Sequence, residues 1–195
     1  MPIPVFVNES SLPRVIGGLP LSGVESHPDR NIGMSARYGV GADMRADVYL
    51  YDEGHNDIPS DLGSQDVLRF FQEACGAVDA AAKQGVYLDF EILATRFLHI
   101  PSDAPNPFCL WGVFTYRLPS SQGVSYLGTR VSHLALRTDR GYINKVRFTY
   151  PQDEDEGVEE INFDRFKSFL VEWSIAVQEF GLGEAKKSAR PFWKR

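Results

Sequence analysis

Apolar positions in this chain repeat with two different periods. Val67, Phe71, Ala74, Val78 and Ala81 recur at steps of four and three, the spacing that stacks side chains on one face of a helix. Ser64 stands before them as a good N-cap, and Gly85 follows as the residue suited to a left-handed closing turn. A second stripe, Phe163, Phe166, Leu170, Trp173, Val177 and Phe180, predicts a closing helix with Asn162 as its N-cap and Gly181 and Gly183 as its stop. The other rhythm is alternation. Residues 34–40 and 45–52 are β-rich runs separated by Gly39, Gly41 and Asp43, which reads as a hairpin. In its second arm Val48 and Leu50 face one way, and Tyr49 and Tyr51 the other. Residues 86–94 alternate over a long run, predicting a strand with one buried face that extends toward Ile100. Runs at 109–118, 124–138 and 142–150 follow, joined by turns so short that the strands must be antiparallel neighbours. In the last run Tyr142, Val146, Phe148 and Tyr150 share one face, with Lys145, Arg147 and Thr149 opposite.

The predicted fold is therefore α+β: an antiparallel sheet of about six strands sandwiched between two helices, an α/β/α sandwich in the order β-β-α-β-β-β-β-α. Residues 1–32 hold five of the twelve prolines and no sustained period, so they read as an extended N-terminal arm with one short strand near Ile16. Residues 33–183 form the single α+β domain, and residues 184–195 a basic and aromatic C-terminal tail. With 195 residues, 43% hydrophobic and 24% charged, the chain is long enough for a sizeable core, and its composition excludes whole-chain disorder and coiled coil.

Charge narrows the function classes. Asp153, Glu154, Asp155, Glu156, Glu159 and Glu160 together match the net charge of −6, whereas the tail carries Lys186, Lys187, Arg190, Lys194 and Arg195 against Glu184. No broad basic balance exists for displacing counterions from phosphates, so nucleic acid is not an expected partner. No apolar stretch approaches the roughly 20 residues of a membrane helix. The first residues lack a basic region followed by an apolar run, so a cytoplasmic location is expected, with the mature form of an exported protein as the alternative.

The order of elements, with the segments Ala46-Asp47-Val48-Tyr49-Leu50-Tyr51-Asp52 and Asn144-Lys145-Val146-Arg147-Phe148-Thr149-Tyr150 before a closing helix, resembles the PsbP-like superfamily. The resemblance covers roughly residues 33–181 and is one of topology, without a site motif to carry over. It implies a bacterial adaptor or chaperone-like protein that binds another protein, since the superfamily includes extrinsic photosystem subunits, a Ran-binding import factor and bacterial envelope or effector-chaperone proteins. Bet v 1-like and cystatin-like folds also place helices on antiparallel sheets.

Candidate chemistry is sparse. Cys75 and Cys109 are the only cysteines; Cys75 sits in the first helical stripe as a small hydrophobe. Pairing of neighbouring strands would bring Cys109 near His99 and His133, with Asp103 to orient a ring, the setting a nucleophilic thiol needs. That supplies an alternative function: a small-ligand carrier or enzyme with a pocket between sheet and helices, using Cys109 or a buried carboxylate. Arg130, Arg137, Lys145 and Arg147 lie on adjacent strands, and some could share a face with Thr129 or Thr149 to form a cationic stripe for an anionic ligand or acidic partner. Phe192 and Trp193 in the tail are aromatic anchors of the kind interfaces use. The acidic run lacks the spacing of a calcium loop and reads as a solvated turn ahead of a helix N-terminus. There is no Gly-x-Ser-x-Gly, Gly-x-x-x-x-Gly-Lys or His-Glu-x-x-His sequence, so no metal or cofactor is expected.

Overall fold

The computed structural model describes residues 12–26, 33–40, 44–55, 57–119 and 128–179. Their elements are β1 (Val15–Ile16), β2 (Leu19–Ser26), β3 (Met34–Val40), β4 (Met44–Tyr51), α1 (Gln65–Lys83), β5 (Leu88–Leu98), β6 (Cys109–Arg117), β7 (Arg130–Asp139), β8 (Tyr142–Pro151) and α2 (Glu156–Glu179). One antiparallel sheet runs β1-β2-β3-β4-β8-β7-β6-β5. It has eight strands where about six were expected. The two beyond six come from the proline-rich segment: β1 is the short strand expected near Ile16, and β2, which was not expected, pairs with β1 on one side and β3 on the other, with Ile16 and Leu19 buried.

The chain leaves the centre of the sheet at β4 and re-enters at the far edge as β5, so α1 crosses one face. There Val67, Phe70, Phe71, Ala74 and Val78 pack with Leu110, Phe114, Leu134, Leu136 and Ile143. Ser64 caps α1 by accepting from the Val67 amide, and Gly85 at φ +78 closes it, as its sequence predicts. α2 crosses the opposite face, where Phe166, Phe169, Leu170, Trp173, Ala176 and Val177 bury against Tyr38, Val48, Val146 and Phe148. Trp173 Nε1 donates to Asn144 Oδ1 at 2.8 Å, satisfying two buried polar groups at once.

Two expectations are corrected by local chemistry. α2 begins at Glu156, so Asn162 is a buried residue of its second turn and no cap. Asp155 does the capping: its Oδ1 accepts from the Gly157 amide at 2.8 Å, and its own amide donates to Asp153 Oδ1. The acidic run is thus the start of the helix, where the dipole favours negative charge. β5 also fails to bury one face. Its register slips between Leu88 and Glu91 and again between Ile92 and Ala94, so the alternation in sequence does not survive as alternation in space, and Leu98 is its only fully buried residue.

Gly39 and Gly76 make a test of this geometry. A Cβ on Gly39, at φ +122, would lie 2.3 Å from the Met44 carbonyl oxygen, whereas one on Gly76 in α1 meets nothing within 4 Å. Urea denaturation should show Gly39→Ala destabilising by about 2 kcal/mol or more, and Gly76→Ala stabilising by about 1 kcal/mol.

Candidate functional site

The β4–β8 and β7–β8 registers place Arg130, Ser132, Lys145, Arg147, Thr149, Arg45, Asp47, Tyr49 and Tyr51 on the face that α1 partly covers. α1 rests mainly on β5, β6 and β7, and toward β4 and β8 its apolar cluster takes in Tyr51 and Ile143, with Tyr49 packed against it. Two of the four expected stripe residues, Lys145 and Arg147, are therefore neighbours, with Thr149 next on the same face, whereas Arg130 shares the face but pairs with Pro151, four residues along β8 from Arg147. Arg137 is not. It lies seven residues from Arg130 on the same strand, an odd separation, and projects to the α2 face, where Nη1 donates to Ser174 Oγ at 3.0 Å and the guanidinium covers Phe108.

Arg147 is held without a carboxylate. Nε donates to Ser132 Oγ at 3.0 Å and Nη1 to the Tyr87 hydroxyl at 2.7 Å, while the guanidinium lies 5.0 Å from the Tyr87 ring and 5.5 Å from that of Tyr116. Tyr87 and Tyr116 pack together at 4.3 Å. Nη2 is buried and has no hydrogen-bond partner among the described residues. Lys145 Nζ lies 4.3 Å from the Tyr49 ring and 5.4 Å from that of Tyr51. Burial, and then the charge of Arg147, hold its pKa below the ordinary lysine value. Asp47 sits directly across from Arg147 but is taken by Arg37 at 2.8 Å and Arg45 at 3.3 Å. Arg130 is 3% exposed at the end of the same face. The tyrosines supply ring faces that attract cations without neutralising them, and Glu53 acts on the charge of Lys145.

The thiol arrangement is not assembled. Cys109 is 1% exposed, and burial pushes its pKa up to about 12. It pairs with Leu98, whereas His133 pairs with Val113, four residues along β6, about 13 Å at the rise of a strand. His99 turns its Nδ1 to the Ala104 carbonyl at 2.8 Å. His133 belongs to a relay within the α2 core: Trp111 Nε1 donates to its Nδ1 at 3.1 Å, its Nε2 faces the Tyr150 hydroxyl at 3.0 Å, and that hydroxyl donates to Glu159 Oε2 at 3.0 Å. Phe192 and Trp193 lie outside the described residues.

A groove of about 900 Å³ opens on the other side of the molecule between the end of β5 and α2, lined by Arg96, Phe97, Ile100, Phe163, Lys167 and Val171 among others. Cys109 is not on it; the thiol borders a void of about 10 Å³ beside Trp173. A smaller hollow of about 80 Å³ lies on the cationic face at Glu25, Arg37, Asp47 and Tyr49. No helix among the described residues is long and apolar enough to cross a membrane.

No family model matches the chain, and no curated protein matches it. Among solved structures, it is similar to the cyanobacterial PsbP (CyanoP) of Synechocystis, at 15% identity and a TM-score of 0.42 over 84% of this chain and 94% of that one. It is also similar to the Saccharomyces cerevisiae Ran-binding protein Mog1p, at 12% identity and a TM-score of 0.38 over 71% of this chain and 77% of that one. Overlays of this extent are similarities of outline, and neither protein's partner comes to this chain with them.

His133 makes the α2 core sensitive to acid. Burial lowers its pKa from 6.5 to about 3, so between these values the unfolded chain binds a proton that the folded chain refuses. Stability contributed by the neutral ring is complete above pH 6.5 and lost as pH falls toward 3. Urea unfolding at pH 7 and pH 5 should show the wild type losing about 2 kcal/mol more than His133→Gln, whose amide can keep both hydrogen bonds.

Proposed function

We propose that this chain is a non-catalytic binding protein that holds an acidic segment of a protein partner against the face built by Lys145 and Arg147. The observation that carries this reading is the state of Arg147: buried in part, ringed by tyrosines and Ser132, with no carboxylate among the described residues within ion-pair distance. A guanidinium so placed has already given up much of its water, so a carboxylate docking there gains more than it would at an open surface. The hollow of about 80 Å³ beside Arg37, Asp47 and Tyr49 is well under the few hundred Å³ of a small-molecule pocket, and the groove of about 900 Å³ between β5 and α2 includes neither Lys145 nor Arg147. Against the enzyme reading stand the protonated state of the buried thiol and the engagement of Asp47, one of two buried carboxylates with Asp52, by two arginines.

The test is capture from the native source with the full chain, comparing wild type with a Lys145→Met, Arg147→Met double variant that keeps the apolar stems. A partner retained by the wild type should be retained at a tenth or less by the variant, consistent with about 1.4 kcal/mol or more lost. Its binding should also weaken as salt is raised. Equal capture by both chains would overturn the reading.

A further inference from the structure

β5 ends the sheet, and no strand among the described residues pairs with its outer edge. Such an edge is a template for another strand. It is 11 residues long and carries Leu88, Ile92, Leu93 and Phe97 between 41% and 52% exposed, with Val86 just before it. Three charged residues lie on it. Asp89 is engaged by Arg117, whereas Glu91 and Arg96 have no ion pair among the described residues.

We propose that the occupant of this edge is β5 of a second copy of the chain, paired antiparallel about a twofold axis between Leu93 and Ala94. In that register the residue numbers of opposing positions add to 187. Glu91 then meets Arg96 of the other copy, Arg96 meets Glu91, Phe90 meets Phe97, and Ile92 meets Thr95. In a regular strand an odd sum would set residues of opposite faces against each other, because side chains alternate. The bulge at Leu93 removes that conflict. Glu91 and Arg96 pair with Thr115 and Trp111 of β6, two residues of one face, while Ile92 and Thr95 pair with Phe114 and Gly112, two residues of the other. The bulge and the charges that commonly protect an edge are here arranged so that the edge complements itself, as a twofold interface requires.

The experiment is light scattering after size exclusion on the full chain and on Glu91→Arg and Arg96→Glu, with circular dichroism to confirm that each variant is folded. The wild type should have the mass of two chains, and each charge reversal should give monomer, because like charges then oppose at both ends of the strand pair. Mixing the two monomeric variants should restore a dimer, since one chain then presents a cation at both positions and the other an anion at both, so that opposite charges meet at each end of the mixed interface. The chain with both substitutions should dimerise by itself. A monomeric wild type, dimeric single variants, or monomers that stay apart on mixing would each overturn the proposal. Should a variant fail to fold, the wild-type mass and the doubly substituted chain decide the matter.

Discussion

The register between β4 and β8 governs which side of the sheet every side chain around it meets. Val48 stands opposite Val146 and Ala46 opposite Phe148, all turned to the α2 core, while Asp47 stands opposite Arg147 and Tyr49 opposite Lys145 on the other face. A slip of one residue would drive Arg147 and Lys145 under α2 and expose Val146 and Phe148. The hydrophobic drive to bury Val48, Val146, Phe148 and Tyr38 beneath Phe166, Phe169 and Trp173 therefore also places the cationic face, and no separate device is needed to aim it.

That face is assembled at a cost. Taking ammonium and guanidinium groups part of the way out of water is unfavourable, and the depressed lysine pKa is one expression of it. Tyr49, Tyr51, Tyr87 and Tyr116 offset the cost with ring faces and a hydroxyl acceptor, leaving the charges in place. Asp47 could have neutralised Arg147 across the strand pair, yet its oxygens go to Arg37 and Arg45. The result is a pair of adjacent cations held among aromatic rings and hydroxyl groups, with Glu53 acting on the charge of Lys145.

The facing of β8 was legible because six consecutive positions, Lys145 to Tyr150, alternate strictly, and α1 because its stripe, Ser64 and Gly85 agree with one another. The separation of Arg137 from Arg130 was also present in the sequence as an odd interval. The tyrosine setting was not: Tyr49 meets Lys145, and Tyr87 meets Arg147, only because β4 neighbours β8 and the chain after α1 returns along the far edge, pairings that join segments about 60 to 100 residues apart. Local pattern carries no information on which distant strands adjoin. β5 misled for a different reason. Its alternation is real in sequence, but two bulges shift the register and no layer covers most of the strand. The start of α2 was misplaced because Asn162 is as good a cap by type as Asp155, and only the turn made by Asp153 and Asp155 decides between them.

The most direct test of the cationic face is the titration of the Lys145 ammonium, followed by NMR of its ε-carbon in the full chain, with and without poly-L-glutamate. The account predicts a pKa below the usual value near 10.4 in the free protein and a rise toward or above it when the polyanion is bound. A lysine that titrates at its ordinary pH and does not respond to poly-L-glutamate would contradict it.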